Sequence, residues 1–170
     1  NSYRFPGIHL NARMKRVYVH NESAVHLLGY VGRISQKDLL VVDQNRYRGT
    51  NIIGKAGIER YYEEKLHGYP GLKKVETNAQ GRTLRTLDII PANSGEDLTL
   101  TIDIRLQKYI EHLLSNRRGA VVAINPENGE ILAFVSSPGY DPNLFVDGIS
   151  HENYNNLLND KRKPLINRAS

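Results

Sequence analysis

The strongest pattern in the chain is an apolar repeat at Leu106, Tyr109, Ile110, Leu113 and Leu114, whose spacings of three and four predict a helix with one inward face. Asp103 stands where an N-cap belongs. Just before it, Leu98, Leu100 and Ile102 alternate with Thr99 and Thr101, the period of a half-buried strand. Residues 119–124 and 131–135 are apolar at nearly every position, and Asn125-Pro126-Glu127-Asn128-Gly129 between them supplies turn chemistry. They predict a central hairpin covered on both faces by helices. Pro138, Gly139 and Pro142 make the next stretch irregular, and Ser150 is placed to cap a last helix with Tyr154, Leu157 and Leu158 inward.

The first half is patterned more weakly. Residues 8–34 read as short β segments around one helical turn: 16–19 is β-rich, 22–28 suits a helix and Gly29 is a natural stop. Ser35 and Asp38 form a capping-box pattern for a helix reaching Val42. A second helix follows Gly54 and Gly57, with Ile58, Tyr61, Tyr62 and Leu66 as its apolar stripe and Gly68 closing it. Two β-prone segments, 73–77 and 82–90, flank a short loop containing Gly81 and predict a hairpin. Pro91-Ala92-Asn93-Ser94-Gly95 combines linker residues between two patterned regions, so the expected division is 1–94 and 95–170. The expected class is α+β.

Composition narrows the chemistry. A chain of 170 residues can bury a core without disulfides or a structural metal, and its lack of cysteine excludes thiol nucleophiles and Cys-based zinc sites. No apolar run has the length of a membrane span. The formal charge of +5 is concentrated in the first 20 residues, where Arg4, Arg13, Lys15 and Arg16 face no acid. Tyr3, Phe5 and Tyr18 are interleaved with them, yet no groove-reading helix accompanies this cluster, and a solvated face is expected rather than nucleic-acid binding.

None of the serines is followed three residues later by lysine; Ser35 meets Asp38, Ser115 meets Arg118 and Ser137 meets Tyr140. Ser-x-Asn and Lys-(Ser/Thr)-Gly are also absent, so the chain holds no self-contained serine acyl-transfer site of that type. His9, His20, His26, His67, His112 and His151 include no pair at metal-binding helical spacing. Glu59 and Glu63 share a helix face, and with Arg60 and Lys65 nearby an ion-pair network is expected of them rather than acid-base catalysis.

Several strings resemble the class B penicillin-binding proteins, the peptidoglycan transpeptidases. Gly54-Lys55-Ala56-Gly57-Ile58-Glu59-Arg60-Tyr61-Tyr62-Glu63 is similar to the family's pedestal motif, Gly-x-x-Gly-(Ile/Leu)-Glu-x-x-Tyr-(Glu/Asp), at every defined position. Gly95 to Asp103, followed by Leu106-Gln107, looks like the entry to the transpeptidase domain, and 119–142 resembles its first sheet hairpin. The strings at 141–150, 158–160 and 167–169 resemble the elongation-type members. A second pedestal motif, Arg-x-Tyr-Pro-x-Gly, departs here to Arg16-Val17-Tyr18-Val19-His20-Asn21, where valine replaces proline and asparagine, which tolerates the left-handed conformation, replaces glycine.

This resemblance implies an elongated β-rich pedestal of the dimerisation type, then the first strand, helix and hairpin of a serine β-lactamase-like domain. Arg16, Tyr18, Gly54, Gly57, Glu59, Arg60, Tyr62 and Asp103 are the structural motif residues it marks. The nucleophilic Ser-x-x-Lys is expected after Asn167-Arg168-Ala169, so the fragment itself is expected to be noncatalytic, and an anchor helix is expected upstream at the periplasmic face of the inner membrane. The implied parent is a D,D-transpeptidase acting on stem peptides and trapped by β-lactams, with no cofactor. The implied partners are a rod-shape-determining scaffold protein of the MreC type and a SEDS-family glycan polymerase. Segments 17–31 and 72–90 are the expected interaction surfaces, and the hairpin region of 97–170 is expected to be labile in isolation. Two alternatives stand beside this reading: a noncatalytic penicillin-binding-like sensor, and a module binding wall polymer or anionic lipid through the basic first 20 residues.

Overall fold

A computed structural model describes residues 15–43, 45–47, 50–115 and 117–170. The cationic and aromatic residues expected to mark the N-terminus, Tyr3, Arg4, Phe5 and Arg13, lie outside these, as does the start of the β segments expected from residue 8.

The elements in chain order are α1 (Val25–Leu28), β1 (Val31–Arg33), α2 (Gln36–Leu39), β2 (Ile52–Gly54), α3 (Gly57–Tyr61), α4 (Glu63–Leu66), β3 (Leu72–Thr77), β4 (Thr83–Ile90), α5 (Ile104–Leu113), β5 (Gly119–Ile124), β6 (Ile131–Ser137), α6 (Asn143–Val146) and α7 (His151–Asn159). The mixture is α+β, as expected. Strands pair antiparallel as β1 with β2, β3 with β4 and β5 with β6. Among the described residues no helix is long and apolar enough to cross a membrane.

Both expected hairpins form. In β3–β4 the register runs from Leu72 opposite Ile90 to Thr77 opposite Thr83, with two irregularities. Its strands lie almost wholly in solvent: Leu84 and Ile89 are each 63% exposed. In β5–β6 the two strands differ in burial, since β5 alternates while Ala133, Val135, Ser136 and Ser137 of β6 are buried. The expectation that both strands are covered on both faces is therefore corrected, Val122 and Ile124 being exposed.

Helix termini follow their capping chemistry. Ser35 and Asp38 close a reciprocal capping box on α2, Asp103 accepts from the backbone of Arg105 and Leu106 on α5, and Ser150 accepts from Asn153 on α7. The helix expected to reach Val42 stops at Leu39, leaving Leu40 and Val41 exposed. The helix expected over 57–66 breaks at Tyr62 into α3 and α4, which turns Tyr61 outward. Asp38 also pairs with Lys55 at the end of β2, and the Lys55 ammonium, followed by the Ser35 hydroxyl, holds its carboxyl down at about 2. That carboxylate stabilises the fold above its unfolded value of 3.8 and loses its contribution as pH falls toward 2. After discounting for partial exposure, Asp38→Asn is expected to cost about 1 kcal/mol at pH 7 and to flatten the acid limb of a pH-unfolding titration. An unchanged acid limb would show that the pairing does not operate in solution.

Three further expectations are corrected. Residues 16–19 form no strand: the amide of Asn143 accepts from Tyr18 N–H at 2.9 Å and donates to Tyr18 C=O at 3.1 Å, occupying the groups a ladder would need. Residues 98–102 keep their alternation, Leu98, Leu100 and Ile102 being half-buried, but they lie outside any strand; Thr101 Oγ1 donates to Ile131 C=O and Asp103 N–H to Leu132 C=O. In α5, Tyr109 and Leu113 of the expected inward stripe are exposed and the fully buried residue is Gln107; in α7, Tyr154 and Leu158 are likewise exposed.

The buried core lies where the first and last parts of the chain meet. Tyr18 and Val31 pack with Val146, and Val25 packs with Tyr140 and Phe145, with Tyr30 bridging both clusters. Tyr30 sits 4.2 Å from Phe145, ring centroid to centroid, and Tyr140 meets Phe145 edge-on at 5.7 Å. Burial pushes the Tyr140 phenol up to about 12.

Candidate functional site

Glu59 is the centre of the one polar cluster that the sequence motifs bring together. It lies in the first turn of α3 and is buried to 7% exposure. Arg16 approaches it in two-pronged fashion, Nε 3.0 Å from Oε1 and Nη2 3.2 Å from Oε2. Tyr18 Oη donates to Oε1 at 3.1 Å and itself accepts Val31 N–H at 2.9 Å. One carboxylate thus ties the segment before α1, the helix α3 and the strand β1. Its acidity records the balance: burial pushes the Glu59 carboxyl above its ordinary 4.5, against the pull of Arg16. Burial, with Glu59 next to it, raises Tyr18 as well.

Two glycines set this geometry. Gly54 ends β2 directly under α3, where a Cβ would stand 2.2 Å from the Glu59 carbonyl oxygen. Gly57 opens α3 with φ of 58°, and its Cβ position is 2.4 Å from Leu27 C=O in α1. Tyr62 forms the break between α3 and α4 and meets Tyr61 edge-on at 4.8 Å. Arg60 is exposed and holds no ion pair among the described residues; Glu59 pairs with Arg16, not with a neighbour on its own helix. Asp103 makes no hydrogen bond to this cluster among the described residues and works as the cap of α5.

Glu63, the carboxylate paired with Glu59 by spacing, faces elsewhere. It accepts from Tyr47 Oη and Gly54 N–H, each at 2.8 Å. Among the described residues both carboxylates have their oxygens engaged by structural donors, an arrangement that ties segments of the fold together. Among the described residues no group of three or more His, Asp or Glu is placed to hold a metal.

A second polar cluster escaped the motifs. Gln107 is wholly buried beneath β6, and Glu111, one turn on, reaches residues 23 and 24. The i, i+4 spacing of these two polar residues in an amphipathic helix was visible in the sequence, but nothing in it said which side of α5 would be covered. His26 was likewise unremarkable; in the fold its ring lies within 3.2 Å of Pro138 C=O and burial lowers its basicity.

Residues 1–100 match the model of the penicillin-binding protein dimerisation domain, and residues 119–169 match that of the penicillin-binding protein transpeptidase domain. The chain is 48% identical over its whole length to the peptidoglycan D,D-transpeptidase MrdA of Escherichia coli K12, of which it spans 28%. Among solved structures, penicillin-binding protein 2 of Pseudomonas aeruginosa is similar over 92% of this chain and 31% of that one, at 45% identity and a TM-score of 0.78. Helicobacter pylori penicillin-binding protein 2, solved as a complex with MreC, is similar over 91% of this chain and 29% of that one, at 42% identity and a TM-score of 0.81.

Proposed function

The chain belongs to the penicillin-binding protein family, and from that premise we propose that it is the pedestal and opening part of the transpeptidase domain of an elongation-type peptidoglycan D,D-transpeptidase. The observation that carries the reading is the match of this chain, over its own whole length, to 28% of a D,D-transpeptidase, with a dimerisation-domain segment followed in order by a transpeptidase-domain segment. A boundary near residues 94 and 95 goes with it.

In this reading the parent's serine hydroxyl, outside the 170 residues, attacks the penultimate D-Ala carbonyl of a stem peptide. Its proton passes to a base, the C–N bond breaks, and terminal D-Ala leaves carrying a proton on its amine. A neighbouring stem-peptide amine then takes the acyl group, freeing the serine and forming the cross-link. β-Lactams stop the cycle at the acyl-enzyme. This reading gives the described residues no role at the reacting atoms: Arg16, Tyr18, Gly54, Gly57, Glu59 and Tyr62 hold the pedestal in shape, and Asp103 starts α5. The parent sits at the periplasmic face of the inner membrane, anchored by a helix preceding this segment.

The pedestal's own task is to bind elongation partners, an MreC-type scaffold protein first and a SEDS-family polymerase second. The complex of Helicobacter pylori penicillin-binding protein 2 with MreC supports the former. Of the two surfaces expected from sequence, the first has Tyr18, Val25 and Val31 buried and, of its large apolar residues, only Val17 and Val19 exposed at its start, whereas the β3–β4 hairpin keeps Leu72, Leu84, Leu87 and Ile89 in solvent. An exposed two-stranded ribbon with apolar side chains is suited to strand pairing or packing against a partner. Binding of the purified scaffold protein in the micromolar range or tighter is expected, weakened about tenfold by Leu84→Asp with Ile89→Asp. Association no stronger than millimolar would remove the proposal.

A further inference from the structure

Five hydrogen bonds run from the turn before α1 to the middle of β6 through two side chains of α5. Glu111 Oε2 accepts from Ser23 Oγ at 2.7 Å and Oε1 from Ala24 N–H at 2.9 Å. The same Oε1 accepts from Gln107 Nε2 at 2.7 Å, and that amide pairs with Phe134 in β6 as a strand would, Nε2 to C=O at 2.9 Å and N–H to Oε1 at 2.8 Å. At 2.7–2.9 Å these bonds are direct, and the cavity left beside Ala24, Val25, Gln107 and Glu111 has only about 10 Å3, at the lower limit for one water.

Two features show that Glu111 holds its partners rather than merely meeting them. Ala24 is left-handed, φ 56° and ψ 18°, a conformation that a residue with a Cβ keeps only when its surroundings impose it. Gln107 is fully buried with every polar group of its amide engaged. The far end of the path is also built: Ser136 Oγ, two residues beyond Phe134, accepts from Arg168 N–H at 3.1 Å and donates to Ile166 C=O at 3.4 Å. From the other side, His26 C=O in α1 accepts from Asn167 Nδ2 at 3.5 Å. Residues 166–168 are therefore located from two directions, by β6 and by α1, and Glu111 is one of the side chains that tie those two together, beside the contact of His26 with Pro138 C=O.

We propose that Glu111 is a positioning residue for the acylation step, acting through Gln107, β6 and α1 on the segment 166–169. The proposal rests on the transpeptidase reading above, in which the nucleophile follows that segment. Its consequence is that a shift of α1, which packs on α3 through the close approach of Gly57 to Leu27, is transmitted to the reacting serine.

The test uses the full-length parent polypeptide and a fluorescent penicillin, with the acylation rate at saturation separated from the binding constant. It is run below the melting temperature of every variant. Glu111→Ala is expected to slow acylation roughly tenfold at unchanged binding constant, because small misplacements of reacting groups carry costs of that size. Glu111→Gln is expected to recover most of the rate, since its amide oxygen can take the Ala24 and Gln107 bonds while its NH2 donates to Ser23. Ser23→Ala, which removes a single hydroxyl, is expected to slow the step about threefold, and the double variant Ser23→Ala, Glu111→Ala no more than Glu111→Ala alone. Amide exchange at 166–169 should quicken in the same order. Rates within twofold of the unmodified parent in both Ser23→Ala and Glu111→Ala, with exchange unaltered, would overturn the proposal and leave Glu111 as a structural contact. Should Glu111→Ala not fold, Ser23→Ala decides. Should the unmodified parent fail to acylate, the transpeptidase reading falls, and the exchange series alone then judges the strut.

Discussion

Gly57→Ala is expected to lower the midpoint of thermal unfolding by about 10 °C or more, a loss of about 4 kcal/mol. The added Cβ meets the carbonyl of Leu27 at 2.4 Å and the amide nitrogen of Gly29 at 2.6 Å. All of these obstacles are backbone, and the residue's φ of 58° adds strain of its own. The two segments cannot move apart without breaking the contact between α1 and α3, since Gly29 approaches from the other side and a Cβ there would lie 1.8 Å from Ala56 C=O. Gly81→Ala is the control: its φ of 76° is equally left-handed, but nothing lies within 4 Å. It is expected to cost about 1 kcal/mol. Similar melting shifts for the two variants would show that α1 and α3 do not pack as described.

The second large effect is at Glu59. Glu59→Ala removes the acceptor of both Arg16 and Tyr18 and leaves the buried Tyr18 hydroxyl without its carboxylate. A loss of about 3 kcal/mol is expected, at the low end for a broken buried pair because Arg16 can turn back to water. Glu59→Gln is expected to lose less than half as much. Its amide oxygen still accepts from Tyr18, and the desolvation that pushes the Glu59 carboxyl upward no longer acts. The two effects separate with pH. Because the folded-state value lies above the unfolded 4.5, protonating Glu59 favours the folded state. The unmodified protein should therefore gain stability relative to Glu59→Gln as pH falls toward 4.5, and Tyr18→Phe, which removes a hydrogen bond that favours the carboxylate, should widen that gain. Unfolding curves of the alanine and glutamine variants that coincide at pH 7 would contradict this account of the cluster.

What the sequence disclosed and what it withheld divide along a physical line. The caps of α2, α5 and α7 were legible at Ser35, Asp103 and Ser150 because capping is settled within one helical turn. The two long hairpins were legible for the same reason, their turns and strands being neighbours in sequence. Periodicity assigned Leu106, Tyr109, Ile110 and Leu113 to one side of α5, yet it is the neighbours that decide which part of a face is covered. Here β6 covers the side carrying Gln107 and leaves Tyr109 and Leu113 in solvent.

The failure at 16–19 has a similar origin. Val17, Tyr18 and Val19 have β propensity, but a side chain 125 residues away takes the backbone groups of Tyr18. No local pattern announces that. The candidate site was half legible: the motif placed Gly54, Gly57 and Glu59 together, while the partnership of Glu59 with Arg16 spans 43 residues and the strut through Glu111 spans 88. Arg60, adjacent in sequence to Glu59, turned out to be its neighbour in name alone.

The measurement that bears most directly on the central reading is covalent labelling by a tagged penicillin of the parent polypeptide, with the 170-residue chain beside it and the acylated peptide identified by mass spectrometry. The account predicts that the parent alone is labelled, on a serine beyond Ser170 and within a Ser-x-x-Lys sequence. Absence of label from a folded parent would contradict it, withdraw the enzyme assignment and leave the pedestal as part of a noncatalytic sensor.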